Sequence, residues 1–92
     1  MAKINEREFE KSLKALANRR RLAILAFLKK RKQASVGDIA SEIKLSFRAT
    51  SRHLGVLHNA DILAREQQSL HMFYCIASDI PPPARAVVSL LS

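Results

Sequence analysis

Glycine and proline are scarce in this 92-residue chain, two and three copies respectively, and tryptophan is missing altogether. So few chain breakers exclude a collagen-like or low-complexity polypeptide and favour long helical stretches. A lone cysteine, Cys75, rules out an intramolecular disulfide framework and suits a reducing, cytoplasmic location. No run of about 18 apolar residues occurs, so no helix is expected to span a membrane. The opening MAKINEREFEK is too acidic and polar for a signal peptide. Enzyme signatures are missing as well: there is no nucleophile motif, no carboxylate pair in an apolar run and no glycine-rich phosphate loop. Neither catalysis nor a cofactor is expected.

Acid is the other shortage. Sixteen Lys and Arg face eight Asp and Glu, a net charge of +8. The excess is uneven: through Ala60 there are 14 basic and 5 acidic residues, net +9, and from Asp61 onward 2 and 3, net −1. Such a field draws polyanions, nucleic acid foremost, with an anionic membrane surface as the competing reading. Hydrophobic residues make up 48% of the chain, enough for one core in a single domain, residues 1–92.

Periodicity and caps place the elements. Asn5 with Glu8 caps a helix of about 5–17 carrying Phe9, Leu13, Leu16 and Ala17. Leu22, Ile24, Leu25, Phe27 and Leu28 define a central helix of about 19–31, ending in cations that suit its negative dipole end. Ser35 with Asp38 caps a short helix of about 36–43, and Ser46 caps the next, about 46–60, whose inner face holds Ala49, Thr50, His53, Leu54, Val56 and Leu57. Two short helices split by three or four residues predict a helix-turn-helix over about 35–60. The period then shortens, and two strands over about 62–76, joined around Gln68-Ser69, predict a β-hairpin with a long or irregular loop. After Pro81, Pro82 and Pro83, residues 84–91 predict a terminal helix. The fold class is mostly α with one small β-hairpin.

LKALANRRRLAIL (13–25), SVGDIASEIKLS (35–46), SRHLGVLHNADIL (51–63) and a hairpin ending in MFYCI together resemble the ArsR/SmtB-type winged helix-turn-helix repressors. The resemblance covers about two-thirds of the chain. It implies a homodimer, built by the first and last helices, that represses transcription by setting two recognition helices on a palindromic double-stranded operator. Phe9, Leu13 and Leu16, with Val87, Val88, Leu90 and Leu91, would supply the dimer surface. The chain departs from the family's pattern at Arg19, where proline is common, and at Lys44, Asp61 and Gln68-Ser69, where glycine is common. Many relatives sense metal through early cysteines or late Asp/His pairs. Ser35 to Ile43 contains no cysteine and Ala84 to Ser92 no Asp or His, so neither metal site carries over.

At 100° per residue, inward Thr50, Leu54 and Leu57 turn Phe47, Arg48, Ser51, Arg52 and Gly55 outward. Arg48 is the expected base reader, since arginine can clamp guanine N7 and O6 with two hydrogen bonds. Arg52 is divided between base and phosphate, Ser51 serves either, and Phe47 touches a thymine methyl or packs on the preceding helix. Ser35, Lys44 and Ser46 are phosphate candidates, and Arg65, Gln68, Ser69 and His71 are wing candidates. Arg19, Arg20 and Arg21 read equally as a solvated cluster or as backbone contacts. His53 is read as a structural, hydrogen-bonded residue. Cys75, in an apolar strand, reads as a buried inert thiol, with a redox sensor as the alternative. Two other functions stay open at this point: a protein-interaction module and a regulator switched by an unknown effector.

Overall fold

The computed structural model describes residues 5–92, so the first four residues of the expected 1–92 domain lie outside the described residues. Side-chain caps start four of the helices. Before α1 (Glu6–Leu16), Asn5 accepts from the Glu8 amide at 2.8 Å and donates to the Glu8 carboxylate at 3.1 Å, a reciprocal capping box. Asn18 caps α2 (Arg19–Arg31) by accepting from the amides of Arg20 and Arg21. Arg19 thus takes the first helical position, where proline would be preformed but is not required. Strand β1 (Ala34–Ser35) runs straight into α3 (Val36–Ile43), whose cap is Ser35. Ser46 caps α4 (Phe47–Asn59) through the Ala49 amide at 3.1 Å. Each such cap contributes about 1 kcal/mol.

Strands β2 (Leu63–Gln68) and β3 (His71–Ile76) form the expected antiparallel hairpin. The sheet nevertheless has three strands, not two: β1 pairs antiparallel with β3 through Ala34–Tyr74 and Ser35–Phe73, giving the order β1-β3-β2. The hairpin turn also differs from expectation. Gln68 pairs with His71, so the loop is only Ser69-Leu70, one residue later than predicted and tight rather than irregular. Ser69 reaches the required backbone with φ 60°. The last helix, α5 (Pro82–Leu90), begins two residues before the predicted start, with proline in its first turn.

The core lies where α2, α3 and α4 meet β2 and β3. Ile24, Leu25, Leu28, Ile39, Leu54, Leu57 and Ile62 are buried almost completely, each side chain contributing about 1.5–3 kcal/mol. Two expectations fail at this level. Val56 was placed on the inner face of α4 but is 38% exposed, while Leu16, expected on the dimer surface, is 4% exposed and sits in the protomer's own core. Four residues other than glycine have positive φ: Lys32, Lys44, Asp61 and Ser69. Three of these are the positions where the ArsR/SmtB pattern favours glycine, so the turns keep their geometry without the usual residue.

Candidate nucleic-acid interface

The helix-turn-helix is α3, a turn and α4. Lys44 makes the turn in the left-handed region (φ 58°, ψ 48°), and its amide returns to the Ala40 carbonyl. α4 is seated through buried Thr50, Leu54 and Leu57, which fixes the opposite face outward. On that face Arg48 and Arg52 are exposed and Ser51 is half-buried, spaced three to four residues apart so that they form one stripe. Gly55 continues the stripe, and a Cβ there would meet nothing within 4 Å. Neither Arg48 nor Arg52 has an ion-pair partner among the described residues, where the ion pairs are Lys14–Glu10 and Arg31–Asp38.

The wing stands beside this stripe. Ser35, Phe47, Gln67, Leu70 and His71 border one recess of about 190 Å³ between the starts of α3 and α4 and the hairpin. The structure therefore brings the phosphate candidate Ser35, the α4 candidate Phe47 and the wing candidate His71 to one place. Phe47 is 62% exposed and lines the same recess as Val36 and Gly37 of α3. Lys44, Ser46, Arg65, Gln68 and Ser69 are all exposed. Leu70 at the wing tip is 90% exposed, a position the strand pattern misassigns by treating it as the first residue of a strand.

A polar linkage behind α4 was not legible in full. Arg21 donates from Nε to the Ala15 carbonyl at 2.6 Å and from Nη2 to the Lys14 carbonyl at 3.1 Å, satisfying carbonyls that end α1. Its Nη1 lies 3.2 Å from His53 Nδ1, as the structural reading of His53 expects. Burial holds the His53 imidazole below its usual range, and the guanidiniums of Arg21, Arg20 and Arg52 lower it further. Inside the helix, the Thr50 Oγ1 is fully buried with no hydrogen-bond partner among the described residues.

On the far side, α1 packs against α5. Phe9 and Leu13 are exposed at 44% and 46%, Leu90 at 84%, and Val87, Val88 and Leu91 are half-buried. Lys29 of α2 donates to the carbonyls of Val88 and Leu91, both at 2.7 Å, and so closes the C-terminal end of α5. Cys75 is half-buried rather than buried, and its thiol is free. Among the described residues no group of three or more His, Cys, Asp or Glu could hold a metal ion, and no helix is long and apolar enough to cross a membrane.

A capped helix pair with a left-handed turn, a second helix presenting a bare basic stripe and an adjoining hairpin define a winged helix-turn-helix DNA-binding protein. The model of the bacterial regulatory protein arsR family matches residues 18–65. The chain belongs to the ArsR family and is a DNA-binding transcriptional regulator. It is 34% identical to the transcriptional activator HlyU of Vibrio cholerae serotype O1, over 98% of this chain and 86% of that protein. The solved HlyU from Vibrio cholerae superposes with a TM-score of 0.80 at 31% identity, covering 97% of this chain and 92% of that one. The transcriptional repressor PagR of Bacillus anthracis gives 0.76 at 29%, covering 94% of each chain. A homodimeric winged helix-turn-helix DNA-binding domain from Mycobacterium bovis gives 0.78 at 26%, over 98% of this chain and 86% of that one.

Proposed function

We propose that residues 1–92 act as one domain of a cytoplasmic homodimer that occupies a palindromic double-stranded operator and represses transcription, without catalysis. The observation that carries this reading is the α4 stripe of Arg48, Ser51 and Arg52, held outward by buried Thr50, Leu54 and Leu57. Arg48 reads a base edge, while Lys44, Ser46 and Ser35 hold phosphates and set the register. The wing residues Arg65, Gln68, Ser69 and His71 add backbone or minor-groove contacts.

Self-association follows from the apolar side chains left on α1 and α5. Phe9 and Leu13 are only partly covered within the protomer and Leu90 hardly at all, which costs free energy in water, and Val87, Val88 and Leu91 extend the same surface. Two copies joined there set paired recognition helices about one DNA turn apart, roughly 34 Å. The M. bovis relative's homodimeric state supports this assembly. Repression would come from steric occupancy of the operator; the B. anthracis relative, a transcriptional repressor by name, supports the direction of control. Selection of bound duplexes from a random library at fixed salt tests the reading. A palindrome with half-sites about 10 base pairs apart is expected, and a monomeric, non-palindromic footprint overturns it.

A further inference from the structure

We propose that the cavity between α1, the α4–β2 connection and the start of α5 is an effector site for a small organic cation, an ammonium group carried on an apolar body. The cavity encloses about 710 Å³, a size typical of small-molecule sites. Ala60, Leu63 and Ile80, all buried, give it an apolar wall, with Pro81 beside them. Ser12 of α1 lines it as well: the residue is 4% exposed, yet its hydroxyl has no hydrogen-bond partner among the described residues. Ser89 of α5, by contrast, turns its hydroxyl back onto the Ala86 carbonyl at 2.7 Å. A buried hydroxyl left without a partner costs free energy, and a polar ligand atom in the cavity supplies one.

Charge selects the sign of the ligand. Glu8, Asp61 and Asp79 border the cavity, three of the chain's eight acids, with only Lys11 and Arg85 of its sixteen bases. The balance there is −1 in a chain of +8. None of the three carboxylates is in an ion pair among the described residues, where the pairs are Lys14–Glu10 and Arg31–Asp38. Arg85 is already engaged, donating from Nη2 to the Ile80 carbonyl at 3.2 Å. An organic anion would be drawn to the basic helical part of the chain, whereas a cation is repelled there and attracted here. An ammonium has three donors and can serve the carboxylates and the Ser12 oxygen while its apolar body covers Leu63 and Ile80.

Placement gives the site its regulatory role. Ala60 caps the end of α4, and Asp61, at φ 62°, turns the chain toward β2. Lys11 and Ser12 follow Glu8 by three and four residues and share one face of α1, beside the face of Phe9 and Leu13. A ligand held between Asp61 and Ser12 thus bridges the end of the recognition helix and a helix of the proposed self-association surface. The regulatory half of this assignment rests on the DNA-binding reading, and the binding half does not.

The test titrates the full-length protein, followed by NMR, with phenethylamine, its neutral analogue phenethyl alcohol and the anion hydrocinnamate. The amine should shift the amides of the cavity residues and bind there more tightly than the alcohol, and the anion should bind there least. Asp61→Asn removes a charge but keeps a residue that tolerates the left-handed turn. It and Asp79→Asn should each weaken the amine by about two- to fivefold and leave the alcohol unchanged. Thermal melting that matches the wild type shows that the variants fold. No amine binding, equal binding of amine and anion, or full amine affinity in both variants overturns the site. Saturating amine should also change the affinity for a selected operator duplex, and the duplex should change the amine affinity by the same factor. Amine binding with unchanged operator affinity overturns the effector role. If the wild type binds no duplex, the DNA-binding reading fails and the regulatory half with it, while the amine titration still decides the site.

Discussion

Arg21 Nη1 stands 3.2 Å from Nδ1 of His53, a hydrogen bond that joins the start of α2 to the middle of the recognition helix 32 residues away. A guanidinium is always a donor, so Nδ1 must accept and the imidazole must be neutral for the bond to exist. Burial and the surrounding arginines favour the same neutral form.

Stability should therefore depend on pH through His53. Its folded pKa lies below the unfolded value of 6.5, so the unfolded chain takes up the proton more readily. The contribution is complete above about pH 6.5 and is lost as pH falls through the lowered folded value. Melting curves from mildly alkaline to mildly acid pH should show this fall. In His53→Gln, where the amide oxygen can still accept from Arg21, the curve should be flatter across that window. Identical pH dependence in the two proteins would falsify the assignment.

Arg48→Ala should cost about 1–3 kcal/mol on the operator, concentrated at one base pair per half-site, with little effect on random duplex. Lys44→Ala should weaken all sequences alike. Binding isotherms on matched and single-mismatch duplexes separate the two, and an equal loss on specific and random DNA for Arg48→Ala removes its base-reading role.

Lys32 closes α2 at φ 77°, ψ −47°, a backbone that L side chains rarely adopt. Lys32→Gly should therefore stabilise the fold by about 0.5–1 kcal/mol, even after the greater freedom of glycine in the unfolded chain. Asp61→Gly, at φ 62°, should gain less, because Asp tolerates the left-handed region better than Lys. Chemical denaturation of both variants gives the ranking, and the reverse order contradicts it.

Thr50→Val removes a buried hydroxyl that has no partner among the described residues and leaves a side chain of similar shape. A neutral result or a gain of about 1 kcal/mol is expected, whereas a loss above about 1 kcal/mol would reveal a hydrogen bond at Oγ1.

Gly55→Ala should raise helix stability by about 0.5–1 kcal/mol, since a Cβ there meets nothing within 4 Å. Gly55 shares its face with Arg48 and Arg52. A larger side chain such as Gly55→Leu should accordingly weaken duplex binding without unfolding the protein. Gel-shift titration alongside a thermal melt checks both halves.

How much could be read from the residues followed the range of the interactions involved. The caps at Asn5, Ser35 and Ser46, and the bounds of α2 and α3, are local and were legible. β1 was not, because two residues carry no period and become a strand only by pairing with Tyr74 and Phe73. Leu16 was misplaced for a related reason: helical spacing marks an apolar face but does not say whether the protomer or a partner covers it. The positive φ at Lys32 gave no warning, since a cation near a helix C-terminus reads simply as a partner for the dipole. The stripe on α4 was legible by angle alone. The hydrogen bond from Arg21 to His53 joins two helices distant in sequence, and no local pattern signals it.

Lys29 draws α2 to the end of α5, while Arg21, two turns earlier on the same helix, draws it to α1 and α4. α2 is thus a strut pinned at both ends, one pin on the surface proposed for self-association and the other on the helix that meets DNA. In the proposed dimer this bracing would act as a fixed-gauge caliper: each protomer's own hydrogen bonds would hold its reading head at a set distance from the self-association surface, whatever the operator. Such a protein would discriminate between sites by the length of the spacer as much as by the letters in each half.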